Sequence, residues 1–274
     1  MPKTLVAFLF AAIPLAAIDT SRFHDHQDRT LACGDWSSQS DMEHACEVRE
    51  QTLPATGAIH VDAGQNGGVS VKGWSGSNIL LRSRVEAWAP TAGEAKSMLS
   101  AVTSSTAGGT IQPSGPRTSG RGGWSVSYEI FVPHLTSLDL HASNGGIHIA
   151  DVGGTLQFET VNGGIHLTRV AGEVKGTTTN GGVHVDLAGT RWDGQGLDVS
   201  STNGGVHLNI PTGYSGQLET STVNGGFSSD LSELASERQT KSHSISATLG
   251  AGGALLRVTT VNGGVTVSKS GSEM

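Results

Sequence analysis

The sequence has few aromatic and few charged residues. Aromatic residues make up 5% of the 274 residues and charged residues 15%. The formal net charge is −7, and Lys and Arg are not concentrated in any one segment. A nucleic-acid-binding protein needs clustered positive charge to replace the counterions of the phosphate backbone. The composition therefore argues against nucleic acid as a partner.

Long hydrophobic segments are also missing. The longest uncharged apolar run, from Leu5 to Ala17, has 13 residues, whereas a membrane-spanning helix needs about 20. Lys3 precedes this run, and small residues end it just before polar Asp19. This order is typical of a secretory signal peptide. We therefore expect residues 1–17 to be a signal peptide. The mature protein should be exported to the periplasm, the cell surface or the medium, without a transmembrane span.

Cysteine is scarce: the chain has two cysteines, Cys33 and Cys46. An even number of cysteines in an exported chain predicts a disulfide. Closing so short a loop would stabilise the fold by about 3 kcal/mol on the chain-entropy account. The alternative is two free thiols in a poorly ordered N-terminal region.

Proline is rare, with 8 residues, but glycine is abundant, with 39, roughly twice its ordinary share. No Gly-X-Y period is present, so a collagen-like fold is excluded. Instead, the tripeptide Asn-Gly-Gly recurs with successive spacings of 78, 18, 18, 23, 21 and 38 residues. Its asparagines are Asn66, Asn144, Asn162, Asn180, Asn203, Asn224 and Asn262. Such internal periodicity indicates a fold built from repeats.

Apolar and polar residues alternate on both sides of each tripeptide. Around Asn162, the apolar positions are Leu156 and Phe158 before the tripeptide and Ile165 and Leu167 after it. The same phase recurs in the other units. Alternation with a period of two is the pattern of half-buried strands. The sequence therefore predicts an all-β protein.

Two architectures can use the tripeptide, since Asn and Gly both tolerate the positive φ of a tight turn. In an antiparallel meander or sandwich, each Asn-Gly closes a hairpin. In a β-solenoid, each repeat is one coil with Asn-Gly-Gly at a corner, and equivalent residues stack about 4.8 Å apart. We favour the solenoid, because stacking like residues on like rewards the recurrence of each position, whereas a meander does not.

The repeats also suggest how the chain is divided. Before the regular stack, residues 92–105 are predicted to contain a short helix and residues 108–123 a Gly/Ser/Pro-rich loop. Residues 227–253 are either an insertion or a non-repeating coil. The predicted segments are 1–17, the signal peptide; 18–49, a flexible segment with the disulfide; 50–133, an N-terminal cap and first coil; 134–268, the repeat stack; and 269–274, a C-terminal tail.

These features resemble those of a bacterial exported putative-adhesin family of β-strand repeats, a domain without an established function. The resemblance rests on the leader, the Val-rich segment from Val61 to Trp74, the Phe-Val-Pro strand end at Phe131 to Pro133, and the repeated Thr-Val-Asn-Gly-Gly units. It covers about Glu47 to Ser268. It implies an envelope or extracellular location and no known catalytic residues.

Motifs of nucleophilic, metalloprotease or nucleotide-binding sites are missing. Glycan-active β-helix enzymes need grouped acids or bases, but Asp151, Asp186 and Asp198 occupy non-equivalent places in the repeats. We therefore expect no catalysis and no cofactor. A polysaccharide-active β-helix enzyme is the alternative.

One residue type with metal-binding chemistry does recur. His148, His166, His184 and His207 each follow Asn-Gly-Gly by two positions. In a solenoid they would form an outward-facing column with neighbours about 4.8 Å apart, close enough to share Zn²⁺ or Ni²⁺. The competing interpretation is a solvated ladder without metal, because no carboxylate or thiolate is evident beside the column.

The corner asparagines from Asn144 to Asn262 should form a ladder of side-chain amides with a structural role. The expected function is a binding or scaffold module that presents a flat polar face to an envelope protein or a polysaccharide. End-to-end self-association into filaments is a third hypothesis.

Overall fold

The structure is a computed structural model that describes residues 18–34, 41–118, 120–234 and 243–270. The predicted signal peptide lies outside the described residues, as do residues 271–274 of the predicted tail. The described part is mostly β and contains one α-helix. No helix among the described residues is long and apolar enough to span a bilayer.

The chain forms twenty strands and one α-helix among the described residues. The strands are β1 (Glu43–Pro54), β2 (Ala58–Asp62), β3 (Val69–Trp74), β4 (Asn78–Ala89), β5 (Thr103–Ser105), β6 (Thr110–Ser114), β7 (Gly123–Pro133), β8 (Ser137–Asn144), β9 (Ile147–Ala150), β10 (Gly153–Asn162), β11 (Ile165–Thr168), β12 (Ala171–Asn180), β13 (Val183–Asp186), β14 (Gly196–Asn203), β15 (Val206–Ile210), β16 (Gly216–Asn224), β17 (Phe227–Ser229), β18 (Ser244–Leu249), β19 (Leu255–Asn262) and β20 (Val265–Lys269). The helix α1 is Ala92–Ala101, and 3-10 turns span Thr20–Arg22, Ala107–Gly109 and Ser232–Leu234.

The strands form two ten-stranded sheets. Sheet A has the spatial order β1-β4-β7-β3-β9-β11-β13-β15-β20-β17. Sheet B has the order β18-β16-β19-β14-β12-β10-β8-β2-β6-β5. Each Asn-Gly-Gly unit contributes the strand before the tripeptide to sheet B and the strand after it to sheet A. The tripeptide therefore connects two sheets and does not close a hairpin within one.

Successive repeats stack in parallel with like residues in register. In sheet B, Asn162 aligns with Asn144 on one side and with Asn180 on the other. In sheet A, His166 aligns with His148 and with His184. The two long, largely parallel sheets have the organisation of a β-solenoid, and the hairpin meander is not formed.

The order of the coils departs from the order of the sequence at the C-terminal end. The coil of Asn262 lies between the coils of Asn203 and Asn224, with Asn262 in register with both. The segment 227–253, expected to be an insertion or a non-repeating coil, supplies β17 at one edge of sheet A and β18 at one edge of sheet B. It therefore closes the end of the stack, and the last coil of the chain fills the space beneath it.

The tripeptide forms a corner, but the positive φ values expected from the turn chemistry of Asn and Gly are not what makes glycine necessary there. None of its asparagines has a positive φ, and among the glycines of these tripeptides only Gly67 does. Instead, a Cβ added at Gly163 would overlap the carbonyl of Gly145 in the neighbouring coil. The equivalent glycines Gly145, Gly181, Gly204, Gly225 and Gly263 meet a neighbouring glycine carbonyl in the same way. Glycine is required here because adjacent coils approach too closely for any side chain.

The core lies between the two sheets and consists of the inward-facing positions of every coil. Val, Ile and Leu fill most of these positions, and the ring of Phe158 occupies space left by the missing side chain of Gly176. Close stacking of short aliphatic side chains buries a continuous core with few aromatic residues, among them Trp192 and Tyr214.

Antiparallel strands close the N-terminal end of the stack. β4 pairs antiparallel with β7 and β1 with β4, and α1 packs on β1 and β4. Thr91 and Glu94 form a capping box that begins α1 within the region predicted to contain a helix. The predicted loop over 108–123 is wrong for Thr110–Ser114, because β6 forms there and pairs with β2 and β5.

The segment 18–49, predicted to be flexible, makes defined contacts in its described part. Residues 18–34, called the strap below, run across the coils, and β1 already begins at Glu43. Phe23 is buried, and the His26 amide donates to the Gly73 carbonyl. A disulfide between Cys33 and Cys46 joins the strap to β1.

Candidate functional site

The outward positions of sheet A carry the four histidines of the predicted column. The ring centroids are 5.4 Å apart for His148 and His166, 4.4 Å for His166 and His184, and 6.0 Å for His184 and His207. The column ends at His207, because Thr266 of β20 occupies the next position. Four imidazoles from consecutive coils therefore lie side by side on one face.

A carboxylate lies beside the column, contrary to the expectation that none does. Asp186 follows His184 by two residues in β13, so both side chains leave the same face of the strand. Nε2 of His184 is 3.1 Å from Oδ1 of Asp186. Ligand atoms of His166, His184 and Asp186 all lie within 4.8 Å of one another. The His-Val-Asp spacing in the sequence was the signal that could have revealed this cluster.

Two further polar groups orient this carboxylate. Nδ2 of Asn209 donates to Oδ1 of Asp186 over 2.6 Å and lies 3.1 Å from Nε2 of His184. The hydroxyl of Thr168 donates to Oδ2 of Asp186 over 3.4 Å. Asn209 and Thr168 are the in-register neighbours of Asp186 on β15 and β11. The carboxylate is therefore held from both adjacent coils.

The histidines line a shallow trough, because the residues next to them are glycines. Its volume is about 280 Å³, and Gly146, Gly164 and Gly182 form part of its wall. Desolvation lowers the pKa of His148. Desolvation also lowers the pKa of His166, and the neighbouring imidazoles of His184 and His148 lower it further. Both environments therefore favour the neutral imidazole, which has one nitrogen lone pair available.

The outer face of sheet B carries a second cluster that the sequence did not reveal. Nδ1 of His60 is 2.9 Å from Oδ2 of Asp139, and Nε2 of His141 is 3.0 Å from Oδ1 of the same carboxylate. The Asp-Leu-His spacing places Asp139 and His141 on one face of β8, and His60 aligns with Asp139 from β2. The pairing of β2 with β8 across 79 residues cannot be inferred from local pattern.

This second cluster lies in a groove with a volume of about 830 Å³. The groove crosses β2, β8, β10 and β12, and the 3-10 turn Ala107–Gly109 forms one of its walls. Besides the cluster, Glu159, Lys175 and Thr177 project into it. The groove therefore offers acidic, basic, imidazole and hydroxyl groups along the flat surface of a parallel sheet.

Two ladders of polar side chains join neighbouring coils at the Asn-Gly-Gly corner. The asparagine amides bond in an unbroken series from Asn144 through Asn162, Asn180, Asn203 and Asn262 to Asn224, over 2.7 to 2.9 Å. A second series was not anticipated. Buried hydroxyls two residues before the asparagine donate to the first glycine carbonyl of the adjacent coil, as Thr178 does to Gly163 over 2.7 Å. The other members are Thr160, Ser201, Thr222 and Thr260.

Two buried carboxylates anchor the strap. Asp151, fully buried, accepts two hydrogen bonds from Arg169, at 2.6 and 2.7 Å, and one from the His24 amide at 2.8 Å. Desolvation raises the pKa of Asp151, but these hydrogen bonds outweigh it and lower the pKa overall. Nε2 of His26 also lies 2.5 Å from Oδ2 of Asp151. Arg169, His24 and His26 together occupy the carboxylate, so we assign it a structural role.

Glu129 holds the other part of the strap. It is 1% exposed and accepts hydrogen bonds from Lys72, Arg82 and the backbone and hydroxyl of Thr30. Desolvation opposes its ionisation, but these donors together lower its pKa to about 2. Its charge is thus fully paired, which is typical of a structural anchor.

Comparison with known proteins places most of the chain in one family. Residues 58–268 match the family model described as Toastrack DUF4097. No curated protein matches the chain.

Solved structures that resemble the chain are distant. A putative cell adhesion protein from Clostridium sporogenes has a TM-score of 0.44 at 9% identity, covering 82% of this chain and 100% of that one. A putative adhesin from Bacteroides fragilis has a TM-score of 0.32 at 12% identity, with 82% and 97% covered. A putative lipid binding protein from Parabacteroides distasonis has a TM-score of 0.32 at 8% identity, with the same coverage.

Proposed function

The chain belongs to the Toastrack DUF4097 family, and from this premise we propose that it is a non-catalytic binding module of the bacterial envelope or exterior. Its sheet B groove holds the partner, which is an envelope protein or a polysaccharide. The observation that carries this proposal is the 830 Å³ groove on the outer face of sheet B. Sites for ligands are concave surfaces with a few convergent polar groups.

The groove combines an apolar lining, which includes Ile59 and Phe158, with polar side chains that suit an extended partner. Exposed Gln157 and Glu159 leave β10 on the same face, and Lys175 and Thr177 leave β12 beside them in register. Amide, hydroxyl and imidazole groups can donate and accept hydrogen bonds with the hydroxyls of a sugar polymer. Neighbouring strands lie about 4.8 Å apart, so these groups form a regular array along the groove.

The location proposed for the protein is the periplasm, the cell surface or the medium. The disulfide between Cys33 and Cys46 supports an oxidising compartment. The names of solved structures, a putative cell adhesion protein and a putative adhesin, are in keeping with this location.

A matched pair of arginine substitutions tests the proposal. Thr177→Arg places a long cation in the groove, whereas Thr266→Arg places the same side chain on the outer face of sheet A, away from it. Binding to purified envelope polysaccharides and to fixed bacterial cells is measured for both variants and for the unchanged chain. We expect Thr177→Arg to lose most of the binding and Thr266→Arg to retain it. Equal binding by both variants would contradict a role for the groove.

A polysaccharide-active enzyme is the second candidate, because the groove brings together two carboxylates that the sequence left apart. Asp139 on β8 and Glu159 on the adjacent β10 both line it. Glycan hydrolysis and elimination are screened with the unchanged chain, Asp139→Asn and Glu159→Gln. Turnover that disappears in either variant would replace the binding proposal with this one.

Self-association end to end is disfavoured as a function by the caps at both ends. Antiparallel β4 and β1 cover one end of sheet A, and antiparallel β18 ends sheet B at the other end of the stack. Sedimentation velocity over a range of concentrations measures this directly, and we expect no filaments.

A further inference from the structure

We propose that the outer face of sheet A binds one divalent transition-metal ion of the Zn²⁺, Ni²⁺ or Cu²⁺ class through His166, His184 and Asp186. This site lies on the opposite sheet from the sheet B groove, so an experiment on one site does not decide the other.

The geometry of the three side chains suits such an ion. All three offer a ligand atom, and these atoms lie within 4.8 Å of one another. Bonds to zinc of 2.0 to 2.2 Å place neighbouring ligands of a tetrahedral ion roughly 3.3 Å apart. All three side chains are partly exposed, so they have room to rotate towards this separation. Two imidazoles and one carboxylate are the ligand set of many zinc sites with an open position.

The residues around the site supply hydrogen bonds to the carboxylate ligand, which a ladder of histidines alone would not have. Asn209 and Thr168 bond the carboxylate of Asp186 from both neighbouring strands, which fixes its orientation before an ion arrives. Such outer hydrogen bonds are a regular part of metal sites. Asp186 is not part of the trough's lining, but the glycine wall beside His166 and His184 lets water reach these two rings.

The cluster on sheet B is a weaker candidate and serves as the control. There one carboxylate is shared between both histidines, with one oxygen bonded to each ring, and the ring centroids are 5.5 Å apart. An ion would have to break both of these hydrogen bonds. On sheet A the two rings are 4.4 Å apart in an edge arrangement, and of the two histidines only His184 bonds the carboxylate.

Cobalt and zinc binding to the mature chain test the site. Co²⁺ reports its coordination through visible absorption bands, and calorimetry gives the stoichiometry and affinity for Zn²⁺. The variants are His184→Ala, Asp186→Asn and, as a control for the other cluster, His60→Ala. Circular dichroism of each metal-free variant verifies that it is folded, which we expect because all three positions are at the surface.

We expect one ion per chain, bands typical of a tetrahedral or five-coordinate ion, and affinity at least about tenfold weaker in His184→Ala and Asp186→Asn. His60→Ala should bind as the unchanged chain does. Absence of cobalt bands in the unchanged chain, equal affinity in Asp186→Asn, or loss of binding in His60→Ala alone would each overturn the proposal.

Discussion

Two adjacent glycines of one tripeptide should respond in opposite ways to the same substitution. A Cβ at Gly163 would overlap the Gly145 carbonyl and lie 2.8 Å from the Gly146 nitrogen. A Cβ at Gly164 meets only the Gly182 oxygen, at 3.4 Å, which is an ordinary contact. Neither glycine has a positive φ, so alanine is compatible with the backbone at both positions. Contact with the neighbouring coil is therefore the only difference between the two substitutions.

The magnitude follows from the hydrogen bonds that cross this contact. To accommodate Gly163→Ala, the coils of Asn144 and Asn162 must separate locally. The bonds at risk are those from the Gly145 amide to Asn162, at 3.0 Å, and from Thr160 to Gly145, at 2.8 Å, together with the amide ladder between the two asparagines, at 2.7 Å. At roughly 1 kcal/mol each, their loss lowers the free energy of unfolding by about 3 kcal/mol. Gly164→Ala should change it by less than about 1 kcal/mol, and a small gain is expected because alanine restricts the unfolded chain.

Urea denaturation followed by circular dichroism measures the free energy of unfolding of both variants and of the unchanged chain. In thermal unfolding of a domain of this size, a loss of 3 kcal/mol corresponds to a fall in Tm of about 6–12 °C. Similar stabilities for Gly163→Ala and Gly164→Ala would refute the conclusion that close approach between coils requires the first glycine.

Three other perturbations address the fold. Thr178→Val removes the buried hydroxyl bond to Gly163 and should cost about 1–2 kcal/mol in urea denaturation, whereas exposed Thr177→Val should cost almost nothing. Deleting residues 254–274 removes β19 and β20 from the interior of both sheets, so we expect loss of cooperative unfolding and rapid proteolysis; a chain that merely lost an end coil would stay folded. The fold lowers the pKa of Glu129 from 4.5 to about 2, so ionised Glu129 stabilises the folded protein fully above pH 4.5, and this stabilisation is lost as the pH falls towards 2. The loss in the free energy of unfolding, about 3 kcal/mol, should be smaller in Glu129→Gln when urea denaturation is repeated across that pH range. A pH profile that is the same in Glu129→Gln would contradict the pairing.

The repeat pattern was sufficient to predict the strands and their stacking. Alternating residues on both sides of Asn162 specify which side chains face the core, and a shift by one residue would expose all of them. The same alternation fixed the outward direction of His166 and His184. Local sequence therefore determined both the regular frame and the decoration of its outer faces.

The order of the coils was not predicted, because it depends on a comparison of whole repeats. Asn203 could stack on Asn224, the next unit in sequence, or on Asn262, the last, and both choices place asparagine on asparagine. In the structure Asn262 is the neighbour, and the inward positions after its tripeptide place valine on valine and on leucine. The coil of Asn224 has Phe227 and Ser229 at those two positions. The closer match in apolar side chains therefore favours the observed order, and the pattern within a single repeat does not contain this information.

The two clusters differ in how much of each could be found in advance. His184 and Asp186 are two residues apart on one strand, so their proximity is local information, and the stacking of His166 follows from the 18-residue repeat. His60 reaches Asp139 only because β2 pairs with β8 after an excursion through the whole N-terminal cap. Contacts of this kind depend on how the cap folds back, which no periodicity specifies.

The swapped coil also explains where the histidine column stops. His148, His166, His184 and His207 belong to four coils that are consecutive both in sequence and in space, and the inserted coil presents Thr266 at the same position. The frame is held by the corner glycines, the asparagine amides and the buried hydroxyls, all of which continue through the inserted coil. Because the outward positions take no part in that frame, they are free to differ between coils without a cost in folding. The restriction of the sheet A histidine column to these four coils, with Asp186 beside it, is therefore a property of the surface and not of the stack. It is at the surface that a metal ion would bind.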